Sequence, residues 1–372
     1  MAGFLMIIFK ESAFCLSSQS IMKVDYIIVG IGIAGISFCE QLRANGKTFV
    51  VFDDASQKSS TVAGGLYNPV VLKRFTSVWK SAEQLGVALP VYAKIEERLD
   101  IKIDYKIPVY RKFASLEEQN DWFVASDKPL LSKCLSPKII KNDNNLIDAP
   151  FGFGEVLGTG RVDLSKLIGA YKSDLLKNNM LLQTPFNYED LQIQENAVTY
   201  HDVSAGQIVF AEGFGVKQNP YFKYLPLAPV KGEVLIISAP DLKLDYVLKS
   251  GVFLIPLGED LYYVGATYEW KHLNHDVTDR AKNQLLEKLG KLIRCSYNIV
   301  NHAAGIRPAT NDRRPLVGQH YKHKSLYVLN GLGTRGVMVG PYVAQQLYGF
   351  IERNQPLEHE IDVKRYESLS QE

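Results

Sequence analysis

Two glycine-rich turns, about 300 residues apart, carry the residue types and spacing best suited to chemistry: Gly30-Ile-Gly32-Ile33-Ala34-Gly35 and Gly331-Leu-Gly333-Thr334-Arg335-Gly336-Val337. Each stands between an apolar run and a stretch that leads into a helix, an order that aims backbone N–H groups at an electron-rich ligand. After the first turn, the run Thr48–Phe52 ends in Asp53, 18 positions beyond Gly35, with Asp54 beside it. Strand, glycine turn, helix, strand and acid in this order predict a dinucleotide site. Gly30 permits the tight turn, Gly32 lets backbone approach a pyrophosphate, Gly35 allows close helix–strand packing, and Asp53 can accept from ribose hydroxyls. NAD and FAD both use this unit, so the fingerprint alone does not choose between them.

The elements that must position these residues read as follows. Val24–Gly30 is a buried strand, Ile36–Asn45 a helix closed by Gly46, and Thr48–Asp53 a second strand. Ala63-Gly64-Gly65-Leu66 lies in a small-residue stretch where backbone can approach something flat or phosphorylated. Residues 80–100 are helical in pattern, and 101–145 alternate short strands with polar turns. The strand 206–213 ends at Ala211 and Gly213, and 231–237, 252–255 and 261–267 read as antiparallel strands. Thr278–Leu292 forms an amphipathic helix, Leu326–Asn330 a strand, and Tyr342–Ile351 a final helix.

Composition bounds the rest. The 372 residues are 46% apolar and 22% charged with a net charge of +2, ordinary for a globular protein and without the global basicity of a nucleic-acid binder. No apolar run reaches the roughly 18 residues of a membrane span. Cys15, Cys39, Cys134 and Cys295 share no metal spacing and read as free thiols in a reducing, cytoplasmic setting. No metal site is predicted. Phe4–Phe9 is apolar but lacks a basic start and is cut short by Lys10 and Glu11, so residues 1–21 read as a loose extension ahead of Met22.

A third segment makes a resemblance specific. Ala304-Gly305-Ile-Arg307-Pro308-Ala-Thr310-Asn-Asp312-Arg-Arg-Pro315-Leu-Val-Gly318, taken with both glycine turns and with Pro226–Gly232, resembles the D-amino-acid oxidase and glycine oxidase superfamily over about residues 24 to 352. The resemblance implies an α/β fold. A Rossmann-like FAD-binding domain would be interleaved with an α+β substrate domain on a mainly antiparallel sheet. Residues 22–85, 150–215 and 300–372 would form the first, and 86–149 and 216–299 the second. It further implies that both turns hold one FAD, the first its ADP half and the second its isoalloxazine ring. No cysteine or histidine stands where relatives attach flavin, so the FAD would be non-covalent.

Arg307 matches an arginine that clamps the substrate carboxylate in glycine oxidases; the alternative is a structural arginine paired with Asp312. Tyr67 and Tyr268 are candidate pocket residues. Arg335 stands either at the substrate or in a structural role. Phe253 departs from the family, standing where glycine oxidases have a tyrosine. The implied activity is oxidation of an amino acid or secondary amine to an imine, with oxygen or another acceptor reoxidising the flavin. Gly65-Leu-Tyr-Asn-Pro69, Gly265-Ala-Thr-Tyr268 and Gly331–Gly336 are similar to the oxidase half of bifunctional enzymes that make 5-methylaminomethyl-2-thiouridine in tRNA. A stand-alone tRNA wobble-uridine oxidase is therefore one alternative, and a flavoprotein that does not oxidise amines is another.

Overall fold

The computed structural model describes residues 21–371; the expectation for the N-terminal extension lies almost wholly outside the described residues. Two eight-stranded sheets dominate. The first is centred on Met22–Val29, which pairs in parallel with Phe49–Phe52 on one side and Val203–Phe210 on the other. Leu326–Asn330 adds a further parallel strand beside Val203–Phe210. In the central strand Tyr26 and Ile28 face one apolar cluster while Ile27 and Val29 face another. A parallel strand covered on both faces has no solvent side, which is why this segment reads as a continuous apolar run. The helices Ile33–Ala44, Ser81–Leu99, Leu164–Lys177 and Gly336–Arg353 all bury residues in one of those clusters.

The second sheet runs Asn298–Arg307, Val230–Ser238, Leu261–Gly265, Phe253–Gly258, Val247–Lys249, Val109–Lys112, Phe153–Val156 and Leu135–Ile140. Every neighbouring pair is antiparallel except Val247–Lys249 with Val109–Lys112. The helix Asp279–Gly290, capped by the Thr278 hydroxyl, buries Leu285 and Leu289 on one side of it. Residues of alternate register, among them Gly232, Val234, Phe253 and Gly265, look into a cavity on the other side.

Three expectations are corrected. The last helix begins at Gly336, six residues before Tyr342, and contains Pro341. Proline has no N–H to give the Val337 carbonyl one turn back, and the Tyr92 hydroxyl donates to that carbonyl instead, at 2.7 Å. Within 101–145 stands a helix, Leu116–Ser126, whose start is legible as a capping box. The Ser115 hydroxyl accepts from the Glu118 N–H, and the Glu118 carboxylate accepts from the Ala114 N–H. The segment boundaries also differ. Ser81–Leu99 packs Ala88, Tyr92 and Ile95 into the core under the first sheet, so 86 is no boundary. Phe153–Val156 and Asn298–Arg307 are strands of the second sheet, although the former and all but the first two residues of the latter fall in the segments 150–215 and 300–372 expected in the first. Hydrogen-bond pairing between distant segments, not proximity along the chain, decides which sheet a strand joins.

Candidate active site

Both glycine turns open onto one cavity of about 1250 Å³. Ordinary small-molecule pockets span roughly 300–1,000 Å³, so this one has room for a long ligand and a second molecule. Of the residues singled out from the sequence, Gly30, Gly32, Ile33, Ala34, Asp53, Asp54, Ala63, Gly64, Gly65, Leu66, Ala211, Gly213, Tyr268, Arg307, Gly333, Thr334, Arg335, Gly336 and Val337 line it. Gly35 and Tyr67 do not.

The first turn is built by backbone contact. Gly30 has φ +95°, in the region that favours glycine, and a side chain there would meet the Ala211 carbonyl at 2.7 Å. A side chain at Gly35 would overlap the Gly30 carbonyl, so helix and turn touch through bare backbone. The first N–H groups of Ile33–Ala44 have no partners within the helix and face the cavity. Asp53 is held by the Ile31 N–H at 3.2 Å and by the Lys172 ammonium at 2.6 Å. Lys172 lies on the helix Leu164–Lys177, 119 residues downstream, and only the fold reveals it. A bare-backbone cradle at a helix N-terminus, with a carboxylate fixed beside it, fits the ADP half of a dinucleotide.

Glu212 is a cavity residue that the sequence did not flag. Its buried carboxylate accepts from the Tyr188 hydroxyl and, at 2.8 Å, from the Asn219 amide. Burial, outweighing those two donors, pushes its pKa up to about 7, with Asp54 adding repulsion. For an acid whose folded pKa is raised, ionisation costs stability: the cost is absent below the unfolded value near 4.5, grows with rising pH, and is complete above about 7. Glu212→Gln is therefore expected to stabilise the flavin-free protein at pH 8 by up to about 3 kcal/mol, read as a rise in melting temperature. At pH 5 the gain should be small. Equal gains at both pH values would show that Glu212 is not strained by its charge.

The second turn meets the first. A side chain at Gly336 would press on Ile33 at 2.9 Å, so the N-termini of the two helices abut. Arg307 ends the strand Asn298–Arg307, and its guanidinium lies so close above Gly232 that any side chain there would overlap it. It donates weakly to the Thr267 carbonyl at 3.4 Å and lies 5.0 Å over the Tyr268 ring. Asp312 is not its partner. That carboxylate accepts from the Arg314 N–H, the Tyr366 hydroxyl and Arg365. Among the described residues no carboxylate pairs with Arg307, Arg313 or Arg335, and all three line the cavity. Burial, and then Arg313, lower the Arg335 pKa. An unpaired guanidinium in a shielded cavity is arranged to receive an anion.

Tyr67 is a correction. Alternation along the strand Leu66–Tyr67 sends Leu66 toward the cavity and Tyr67 into the core, where it is 1% exposed. Its ring fills the space over Gly160, and its hydroxyl donates to Asp104 at 2.7 Å while accepting from Lys106 at 3.0 Å. It cannot touch a ligand. Tyr268, by contrast, is 58% exposed at the cavity mouth and stacks on Trp270, which the sequence reading passed over.

Comparison with known proteins agrees with this geometry. Residues 25–348 match the family described as FAD-dependent oxidoreductases. The chain is 24% identical to the glycine oxidase of Pseudomonas putida, covering 90% of this chain and 96% of that protein. It is 22% identical to the tRNA 5-methylaminomethyl-2-thiouridine biosynthesis bifunctional protein of Marinobacter nauticus, over 89% of this chain but only 56% of that protein. The chain thus spans about half the length of this bifunctional relative. Among solved structures, glycine oxidase from Geobacillus kaustophilus superposes with a TM-score of 0.75 at 18% identity, covering 93% of this chain and 98% of that one. L-proline dehydrogenase from P. horikoshii gives 0.74 at 16%, covering 94% and 97%. The α/β architecture with a mainly antiparallel second sheet is that of these enzymes.

Proposed function

The chain belongs to the FAD-dependent oxidoreductase family, and from that premise we propose that it oxidises the C–N bond of an amino acid or secondary amine to an imine. The observation that carries this reading is Arg307: a cavity guanidinium that has no carboxylate partner among the described residues, in the same space as both glycine turns. Bound FAD supplies the hydride acceptor. The chain's own residues do the positioning. Arg307 presents a planar fork that suits a substrate carboxylate, and Tyr268 packs against the guanidinium and limits how it can turn. Backbone at the second turn, at the start of Gly336–Arg353, favours negative charge near the flavin ring. Asp53, Lys172 and the first turn serve the ADP half.

An anaerobic screen of flavin bleaching tests the reading, with glycine, N-methylglycine, D-amino acids and proline as donors. Bleaching by at least one is expected, and a flavin that no amine reduces would favour a flavoprotein of another kind. Among the described residues no cysteine or histidine lines the cavity, which supports a non-covalent FAD. Heat or acid should then release all the yellow colour into the supernatant; flavin that precipitates with the chain would contradict this.

A second reading, oxidation of a carboxymethylamino group on tRNA, is favoured by one observation. Tyr268 and Trp270, 58% and 63% exposed, stack at the cavity mouth near Arg313 and Arg335, which have no carboxylate partner among the described residues, a surface suited to a base and a phosphate. Hypomodified tRNA in the same bleaching screen separates the two.

A further inference from the structure

The carboxylates that line the cavity, Asp53, Asp54 and Glu212, all stand at its first-turn end. On the sheet that floors the other end lies a cation which the reaction as described leaves unused. Lys249 lines the cavity from the end of the strand Val247–Lys249, its ammonium 4.4 Å from the Phe253 ring centre. Among the described residues it has no carboxylate partner. Its neighbours are cations instead. Arg111 sits directly across from it on the adjoining strand, itself paired with Glu118 at 2.6 Å, and Lys288 approaches from the helix Asp279–Gly290. A shielded ammonium among like charges raises the local potential, which draws an anion and repels the ammonium form of a substrate amine.

The sheet register places Lys249 and the Arg307 guanidinium on one face of the same sheet. Phe253 pairs with Gly265, which pairs with Val234, and Gly232 under the Arg307 guanidinium is two residues further along. At about 4.8 Å per strand and about 3.4 Å per residue, the Phe253 and Gly232 positions lie about 12 Å apart. A substrate with an acidic group at each end can engage both cations, and glycine, with a single carboxylate, cannot.

We propose that Lys249 is a second anion seat on the cavity floor, and that the amine oxidised here carries an acidic group at each end, one for Arg307 and one for Lys249. This rests on the amine-oxidising reading and narrows it to amines that carry a second acid, N-substituted glycines among them. Phe253, where glycine oxidases carry a tyrosine, is the apolar surface over which the ammonium is held. Burial, then Arg111 and Lys288, push the Lys249 pKa down to about 8, so the free protein should lose affinity for diacids as pH rises through that value.

The test measures binding without turnover. Thiodiacetate and methylthioacetate are thioether analogues with two acids and one, and neither offers an amine to oxidise. Titration calorimetry with the FAD-loaded protein at pH 7 should show the diacid bound about tenfold or more tighter than the monoacid. Lys249→Met should bring that ratio close to one, and Lys249→Arg should restore most of it. In the wild type the ratio should fall between pH 7 and pH 9. A ratio near one in the wild type, or one that Lys249→Met leaves intact, overturns the second seat. Should Lys249→Met fail to fold, the wild-type ratio and its pH profile still decide. Diacid preference with no bleaching by iminodiacetate or any other amine would sink the amine-oxidising reading while leaving the seat standing.

Discussion

Arg307→Ala is expected to slow anaerobic flavin reduction about a hundredfold or more while leaving FAD content near that of the wild type. The guanidinium stands over Gly232 with only a weak bond to the Thr267 carbonyl, so its removal strands no ion pair inside the protein. What it loses is the fork that receives the substrate carboxylate, a charge-assisted contact in a shielded cavity, worth about 3 kcal/mol. Arg307→Lys keeps a positive charge but not the planar fork. Orientation should therefore suffer along with affinity, and the limiting rate of reduction should fall together with apparent binding. Stopped-flow reduction with whichever amine bleaches the wild type gives both quantities. Equal limiting rates in the wild type and Arg307→Ala would remove the clamp role, and a variant purified without flavin would make Arg307 structural.

The parts of the fold that were legible in the sequence are those that local rules dictate. The run of Met22–Val29, the turn at Gly30 and the helix from Ile33 are consecutive, and each constrains the next within a few residues. The parts that misled depend on distant partners. Tyr67 looks like a pocket tyrosine until the strand pairs with Gly160–Arg161 and its hydroxyl finds Asp104, 37 residues away. Asp312 looks like a mate for Arg307 because they are five positions apart in sequence. The chain turns between them, and Asp312 meets Arg365 and Tyr366 near the C-terminus. Pro341 reads as a helix stop because proline usually is one, and its tolerance depends on Tyr92, 245 positions before the carbonyl it serves.

The charges of the site follow the same division. Asp53 is found from its spacing to the glycines, but Lys172, which holds it, comes from a helix with no motif. Glu212 and Lys249 carry no chemical signature of their own, Arg313 is not one of the motif positions of the Ala304–Gly318 segment that holds it, and nothing short of the folded cavity shows that all three line one space. A lysine reads as solvated surface by default, and only sheet register places Lys249 on a floor shared with Arg307.

Gly35→Val should have the largest effect of all, because it removes the cofactor rather than the substrate. Gly35 does not line the cavity; it packs the helix Ile33–Ala44 onto the turn, with the Gly30 carbonyl where a side chain would go. The turn has nowhere to retreat, since Gly30 is backed by the Ala211 backbone of the neighbouring strand exit. The helix must therefore lift, carrying its N-terminal N–H groups, of which Ile33's donates to the Ser60 hydroxyl at 3.2 Å, away from the cradle that would hold a pyrophosphate. Overpacking of this kind costs roughly 1–3 kcal/mol even when flexible side chains absorb it, and here only backbone is in the way. FAD affinity should fall on the order of a hundredfold, about 2.7 kcal/mol, so the variant should purify almost colourless. Gly169→Ala is the control: it lies within the helix Leu164–Lys177, an added methyl meets nothing within 4 Å, and the change should raise stability by up to about 1 kcal/mol with flavin retained. Flavin occupancy by absorbance and FAD titration of the stripped proteins give the comparison. A yellow Gly35→Val protein with unchanged FAD affinity would mean that the turn yields where bare backbone leaves it no room, and that the first glycine motif does not hold the cofactor.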